Sequence, residues 1–101
     1  MINVVASIRV KAGKRSEFLA IFKANIAAVR AEKGCIEYFP TVDINAKLPA
    51  QAMDENVVTI LEKWESLESL WNHIKAPHML AYREKVKSIV DDVTLKVLQG
   101  A

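Results

Sequence analysis

An α+β domain built on a four-stranded antiparallel sheet is the fold class this sequence predicts, and three observations predict it. Apolar residues alternate along Ile2–Val10 and crowd Val57–Trp64, as strands require. Helical spacing replaces that alternation from about Ser16 to Lys33 and again after Ser66. Glycine and proline punctuate the changes of period at Gly13, Gly34 and Pro77. A chain of 101 residues with 51% hydrophobic and 26% charged residues can bury one core, which predicts a single domain over 1–101.

In the first strand, Ile2, Val4, Ala6, Ile8 and Val10 share one face, and Asn3, Val5, Ser7 and Arg9 share the other. Ala12-Gly13-Lys14 turns the chain into a helix whose apolar stripe is Phe18, Ile21, Phe22, Ile26 and Val29. Asn25 falls on that stripe, either as a polar edge residue or as an amide facing a cavity. Gly34 is placed to end this helix. A second strand is predicted over Cys35–Asp43, at a sheet edge because Pro40 has no N–H for a ladder. Residues 44–56 read as a long loop containing Pro49. Val57–Trp64 is the third strand, with Val58, Ile60, Glu62 and Trp64 on one row. Ser66 can cap a helix whose stripe is Leu67, Leu70, Trp71 and Ile74; on this spacing Trp71 is core and His73 lies at the polar border. Pro77 stops that helix and suits the first position of another, where His78 and Tyr82 stack four apart. Asp91–Leu98 closes the chain as the fourth strand, with Val93, Leu95 and Val97 on one face.

The order β-α-β-β-α-β is the ferredoxin-like pattern, with helices on one sheet face. The other face would carry Val57, Thr59 and Leu61. A sheet apolar on both faces needs a second cover, which predicts a homodimer made sheet against sheet.

A net charge of +2, with cations scattered among acids, forms no basic stripe and argues against nucleic acid. The first ten residues lack the pattern of a signal peptide, and no apolar run approaches the roughly 20 residues of a membrane span. Cys35, the one cysteine, excludes an internal disulfide and suits a reducing cytoplasm; its expected state is a buried, inert thiol.

Glu62 is the most informative residue. A carboxylate between apolar neighbours on a strand must be solvated, paired or put to use. Around it the sequence gathers Trp64, His73, His78 and Tyr82. Each has a plainer role to set beside a functional one. Glu62 could be half of an ion pair, His73 a surface histidine, and His78 a partner for free backbone groups at a helix start. Tyr82 and Trp64 could be core. A metal site from Glu62, His73 and His78 finds no H-E-x-x-H and no cysteine cluster in support.

Several runs are similar to those of a known family. They are E-K-W-E-S at 62–66, His73 nine residues after Trp64, A-P-H-M-L-A-Y at 76–82, G-C-I-E-Y at 34–38, and F-x-x-x-F-x-x-N from Phe18 to Asn25. In joint order they resemble the antibiotic biosynthesis monooxygenase family over nearly the whole chain. Val42-Asp43 and the loop that follows resemble its quinol monooxygenase branch. The resemblance implies a dimeric α+β barrel and a pocket between sheet and helices. It also implies oxygenation of an aromatic quinol by O₂ without metal, flavin or haem cofactor. Ser7 departs from the pattern, since relatives resembling this chain have an acid there. A haem-degrading branch resembles it less, having a tryptophan where His73 stands and a ligating histidine where this chain has Arg83.

That chemistry asks for a tuned base in a water-poor pocket, because a deprotonated hydroquinone is a far better reductant. The candidate catalytic residues are His73, His78 and Glu62, the carboxyl either orienting a histidine or serving as the base itself. Phe22, Tyr38 and Trp64 are candidate aromatic wall, and Asn25 and Tyr82 candidate hydrogen-bond partners for a substrate oxygen. Two other classes stay open. One is an isomerase of a phosphorylated hydroxy-dione, which the H-x-x-x-P-H spacing also resembles, with Arg9, Lys47 or Lys75 for the phosphate. The other is a non-catalytic dimer that binds an apolar ligand.

Overall fold

The computed structural model describes residues 1–101. Its elements are β1 (Ile2–Val10), α1 (Arg15–Ala24), α2 (Ile26–Arg30), β2 (Cys35–Thr41), β3 (Val57–Trp64), α3 (Leu67–Ile74), α4 (Pro77–Val86) and β4 (Val90–Leu98). The four strands form one antiparallel sheet in the order β2-β3-β1-β4. This is the expected ferredoxin-like arrangement, and Pro40 sits on the edge strand β2, where its missing N–H is harmless.

The period-2 pattern decides which face is covered. Val4, Ala6, Ile8 and Val10 of β1 and Val58, Ile60 and Trp64 of β3 are all buried against the helices. Phe18, Phe22 and Val29 from α1 and α2, and Met79, Tyr82 and Val86 from α4, close over them. On the opposite face the row Phe39, Leu61, Val5 is only half-buried, and no helix of this chain covers it.

Three boundaries differ from expectation. The first helix breaks at Asn25, whose backbone N–H bonds Phe22 O at 3.0 Å in a tightened turn, and it ends at Arg30 rather than Lys33. Gly34 therefore serves the turn into β2 instead of the helix end. It has φ +87°, and a Cβ there would overlap Ser69 Oγ and lie 2.6 Å from Ser69 Cβ, so the glycine lets this turn press against α3. The second strand stops at Thr41, because Asp43 Oδ2 accepts from the Asp54 N–H at 2.8 Å and closes the loop across 44–56.

The larger correction concerns α3. Ser66 caps it as expected, its Oγ accepting from Ser69 N–H at 3.2 Å. The helix, however, is rolled so that Leu70 and His73 face the sheet, while Trp71 is 59% exposed. Trp71 is not core, and His73 is not at a polar border: only 3% of it remains exposed. An imidazole can take the inward position because a carboxylate from another element satisfies it.

Candidate active site

Between the sheet and α1, α3 and α4 lies a cavity of about 600 Å³, of a size to take a small aromatic molecule. Val4, Ala6, Ile8 and Ile60 make its sheet wall. It opens over β4, where Val93, Leu95 and Val97 stay about half exposed because no helix reaches them. Glu62, Tyr38, His73 and Tyr82 look into this apolar space, and the charged side chains of Arg83, Glu84 and Lys87 also line it.

Their placement follows from register. Glu62 is the one acid on the covered row of β3, and Tyr38 of β2 pairs directly with it. Phe22 stacks on Tyr38 at 5.2 Å between centroids, and Tyr82 meets Phe22 edge-on at 5.9 Å. Trp64 does not line the cavity. It lies fully buried behind it, 4.6 Å from the His73 ring, and its Nε1–H donates to Glu62 Oε1 at 2.9 Å. Its structural task is to hold the carboxyl and back the imidazole.

Burial raises the Glu62 carboxyl to a pKa of about 7, and the nearby Glu32 charge adds to the rise while the Trp64 hydrogen bond opposes it. Burial also lowers the His73 imidazole, against the opposing pull of its bond to Glu32, so the ring is neutral at neutral pH. Burial pushes the Tyr38 and Tyr82 hydroxyls well above the usual phenol range, so both stay protonated donors. The site thus holds a carboxyl poised near neutrality, a neutral imidazole and two phenols in a low-dielectric space.

Glu32 carries no sequence signal of its own, and only the fold brings it here. It sits on the turn after α2, and its Oε2 lies 2.8 Å from His73 Nδ1. The carboxylate that orients the buried histidine is therefore Glu32 and not Glu62. With Nδ1–H donated to Glu32, the neutral ring keeps its lone pair on Nε2, which has no partner within the chain and is not enclosed by it.

His78 and Asn25 stand outside the large cavity. They line a smaller pocket of about 160 Å³ with Tyr82 and Lys85, on the far side of α4. Asn25 Nδ2 lies 3.1 Å from His78 Nδ1, and His78 Nε2 lies 3.2 Å from the same Glu32 Oε2, off the line of a hydrogen bond. Cys35 is half-buried, and burial raises its thiol pKa, which is the state of an inert cysteine. No three His, Cys, Asp or Glu side chains are grouped to hold a metal ion, and no helix is long and apolar enough to cross a membrane.

Comparison with known proteins agrees with this geometry. The family model for antibiotic biosynthesis monooxygenase matches residues 1–85. The chain is 37% identical to "Probable quinol monooxygenase YgiN" of Escherichia coli K12, over 98% of this chain and 97% of that one. Among solved structures, a conserved protein from Methanosarcina mazei Go1 superposes with a TM-score of 0.84 at 26% identity, covering 99% of this chain and 92% of that chain. Rv0793 from Mycobacterium tuberculosis gives 0.81 at 26% identity, over 99% and 93%. With the fold, the cavity and a full-length relative in agreement, the chain belongs to the antibiotic biosynthesis monooxygenase family.

Proposed function

We propose that this monooxygenase oxidises a small aromatic hydroquinone with O₂, without a metal or organic cofactor, in the cavity between sheet and helices. The observation that carries the reading is an apolar cavity with Glu62 poised near pH 7 beside a neutral His73 whose Nδ1 is tied to Glu32. His73 Nε2 or Glu62 removes a proton from a ring hydroxyl, and the anion that results transfers electrons to O₂. A carbon–oxygen bond forms at the ring, the ring proton leaves, and the O–O bond breaks to release water. One hydroquinone and one O₂ become one hydroxyquinone and one water. Tyr38 and Tyr82 donate to the substrate oxygens, and Phe22 supplies aromatic wall. A relative named as a quinol monooxygenase supports the same substrate class.

The enzyme works as a homodimer joined through the half-buried row Phe39, Leu61, Val5, and its single cysteine suits a reducing cytoplasm. Sedimentation tests the dimer. The cations expected to hold the phosphate in the isomerase alternative, Arg9, Lys47 and Lys75, do not line the cavity, and Arg9 is engaged by Asp54 at 2.9 Å. Arg83 and Lys87 do line it, so the isomerase stays a second reading for the assay to decide.

Oxygen uptake by metal-free, flavin-free protein over a panel of naphthohydroquinones decides the matter. Uptake above autoxidation, with hydroxyquinone as product, is the expected result. Uptake no faster than autoxidation overturns the reading, and turnover of a phosphorylated hydroxy-dione without O₂ promotes the isomerase.

A further inference from the structure

The proposed chemistry makes direct use of neither Asn25 nor His78, yet four elements converge to bring them into one chain of polar contacts with His73. Asn25 stands at the break between α1 and α2, Glu32 on the turn before β2, His78 in the first turn of α4, and His73 in α3. Asn25 Nδ2 lies 3.1 Å from His78 Nδ1 and 3.4 Å from Met79 Sδ, so the amide nitrogen is the donor toward both. An accepting Nδ1 puts the proton of a neutral His78 on Nε2, which has Glu32 Oε2 at 3.2 Å and no other partner. The same oxygen accepts from His73 Nδ1 at 2.8 Å. One oxygen of a carboxylate whose side chain is 16% exposed thus accepts from His73 Nδ1 and has His78 Nε2 beside it, off the line of a hydrogen bond.

We infer that Glu32 is a positioning residue, with His78 and Asn25 packed beside its carboxylate: it locks His73 as the Nδ1–H tautomer and leaves its Nε2 bare toward the cavity. A ring with the opposite tautomer has its proton on Nε2 and cannot take one from a substrate, whatever its affinity. Glu32 is the member that chooses, because it alone touches both rings. The other charged or titratable groups around His73 are His78 and Arg83 from α4 and Tyr38 from β2, with Glu62 of β3 lining the same cavity, and none of these bonds Nδ1.

The catalytic use of this tautomer rests on the hydroquinone reading, but the tautomer does not, so the test separates them. Long-range ¹H–¹⁵N spectra of protein labelled in its two histidines report which nitrogen of each ring carries the proton. His78→Asn leaves one imidazole and assigns the signals. His73 in the native chain is expected as Nδ1–H; in Glu32→Ala it is expected to move to the Nε2–H form or a mixture, and Glu32→Asp restores it in part. Asn25→Leu, with its fold checked by circular dichroism, is expected to mix the His78 tautomers and leave that of His73 in place. With a hydroquinone, Glu32→Ala is expected to lower kcat roughly 10²-fold or more with KM little changed. An Nε2–H ring in the native protein, or a His73 tautomer unmoved by Glu32→Ala, overturns the inference. Should Glu32→Ala not fold, Glu32→Gln decides it by the same criterion, since an amide keeps the volume and can donate to Nδ1 as well as accept from it. Native spectra as expected with no oxygen uptake would sink the hydroquinone reading alone.

Discussion

His73 and His78 touch the same oxygen of Glu32 and live in different solvents. His73 has 4% of its side chain exposed, packs on Trp64 and Tyr38, and opens to a large apolar cavity. His78 is 28% exposed, is held by Asn25, and looks into a small pocket beside Lys85. Two residues of one chemistry, five apart in sequence, are divided by a proline that turns α4 away from α3. The contrast teaches that a carboxylate partner is not enough to make a histidine a base toward substrate. The ring must also border the space where substrate can sit, and only His73 does.

The largest expected effect would break that contrast outright. His73→Ala is expected to lower kcat for hydroquinone oxidation by about 10²–10⁴-fold, whereas His78→Ala should cost about tenfold or less. Equal losses in steady-state assays would erase the distinction. Glu62 sharpens it through pH. If its carboxyl acts as base, the rate rises through pH 7 and levels above, and Glu62→Gln abolishes that limb.

Stability should run the opposite way over the same range. A carboxyl raised from 4.5 to about 7 binds its proton more tightly in the folded state, so folding loses stability between those values as pH increases, by up to about 3 kcal/mol. Glu62→Gln should therefore be stabilised relative to the native chain at pH 8 and not at pH 4, by urea unfolding at each pH. Gly34→Ala should lower stability by about 1–3 kcal/mol, since φ +87° and the approach of Ser69 both oppose a Cβ; an unchanged melting temperature would show that the turn does not hold Glu32 against α3. The smallest change is Trp64→Phe, which keeps the aromatic volume and removes the donor to Glu62. Its pH limb should move upward, because that hydrogen bond holds the carboxyl down.

Much of this architecture could be read from local pattern. Val57–Trp64 begins and ends as its composition predicts, Pro40 lies on an edge strand, Ser66 caps α3, and Pro77 starts α4. In each case the cause sits within a few residues of the effect. Glu62 was legible for the same reason, as an acid on an otherwise apolar row. The roll of α3 was not. Leu67, Leu70, Trp71 and Ile74 make as good a stripe as one centred on Leu70 and His73, and the choice between them depended on what waited opposite. The separation of His78 and Asn25 from the large cavity was hidden likewise, since helical spacing says which residues are neighbours and not which side of a helix faces a void.

By itself, then, the sequence determined the four strands, the Ser66 cap, the start of α4 at Pro77 and the presence of a misplaced acid, because hydrophobic period and backbone chemistry act over a few residues. Only the tertiary structure decided that His73 turns inward and that Glu32, 41 residues before it, meets its ring. A buried imidazole is tolerated when a partner offsets its desolvation, and such a partner can come from any part of the chain that the fold brings near.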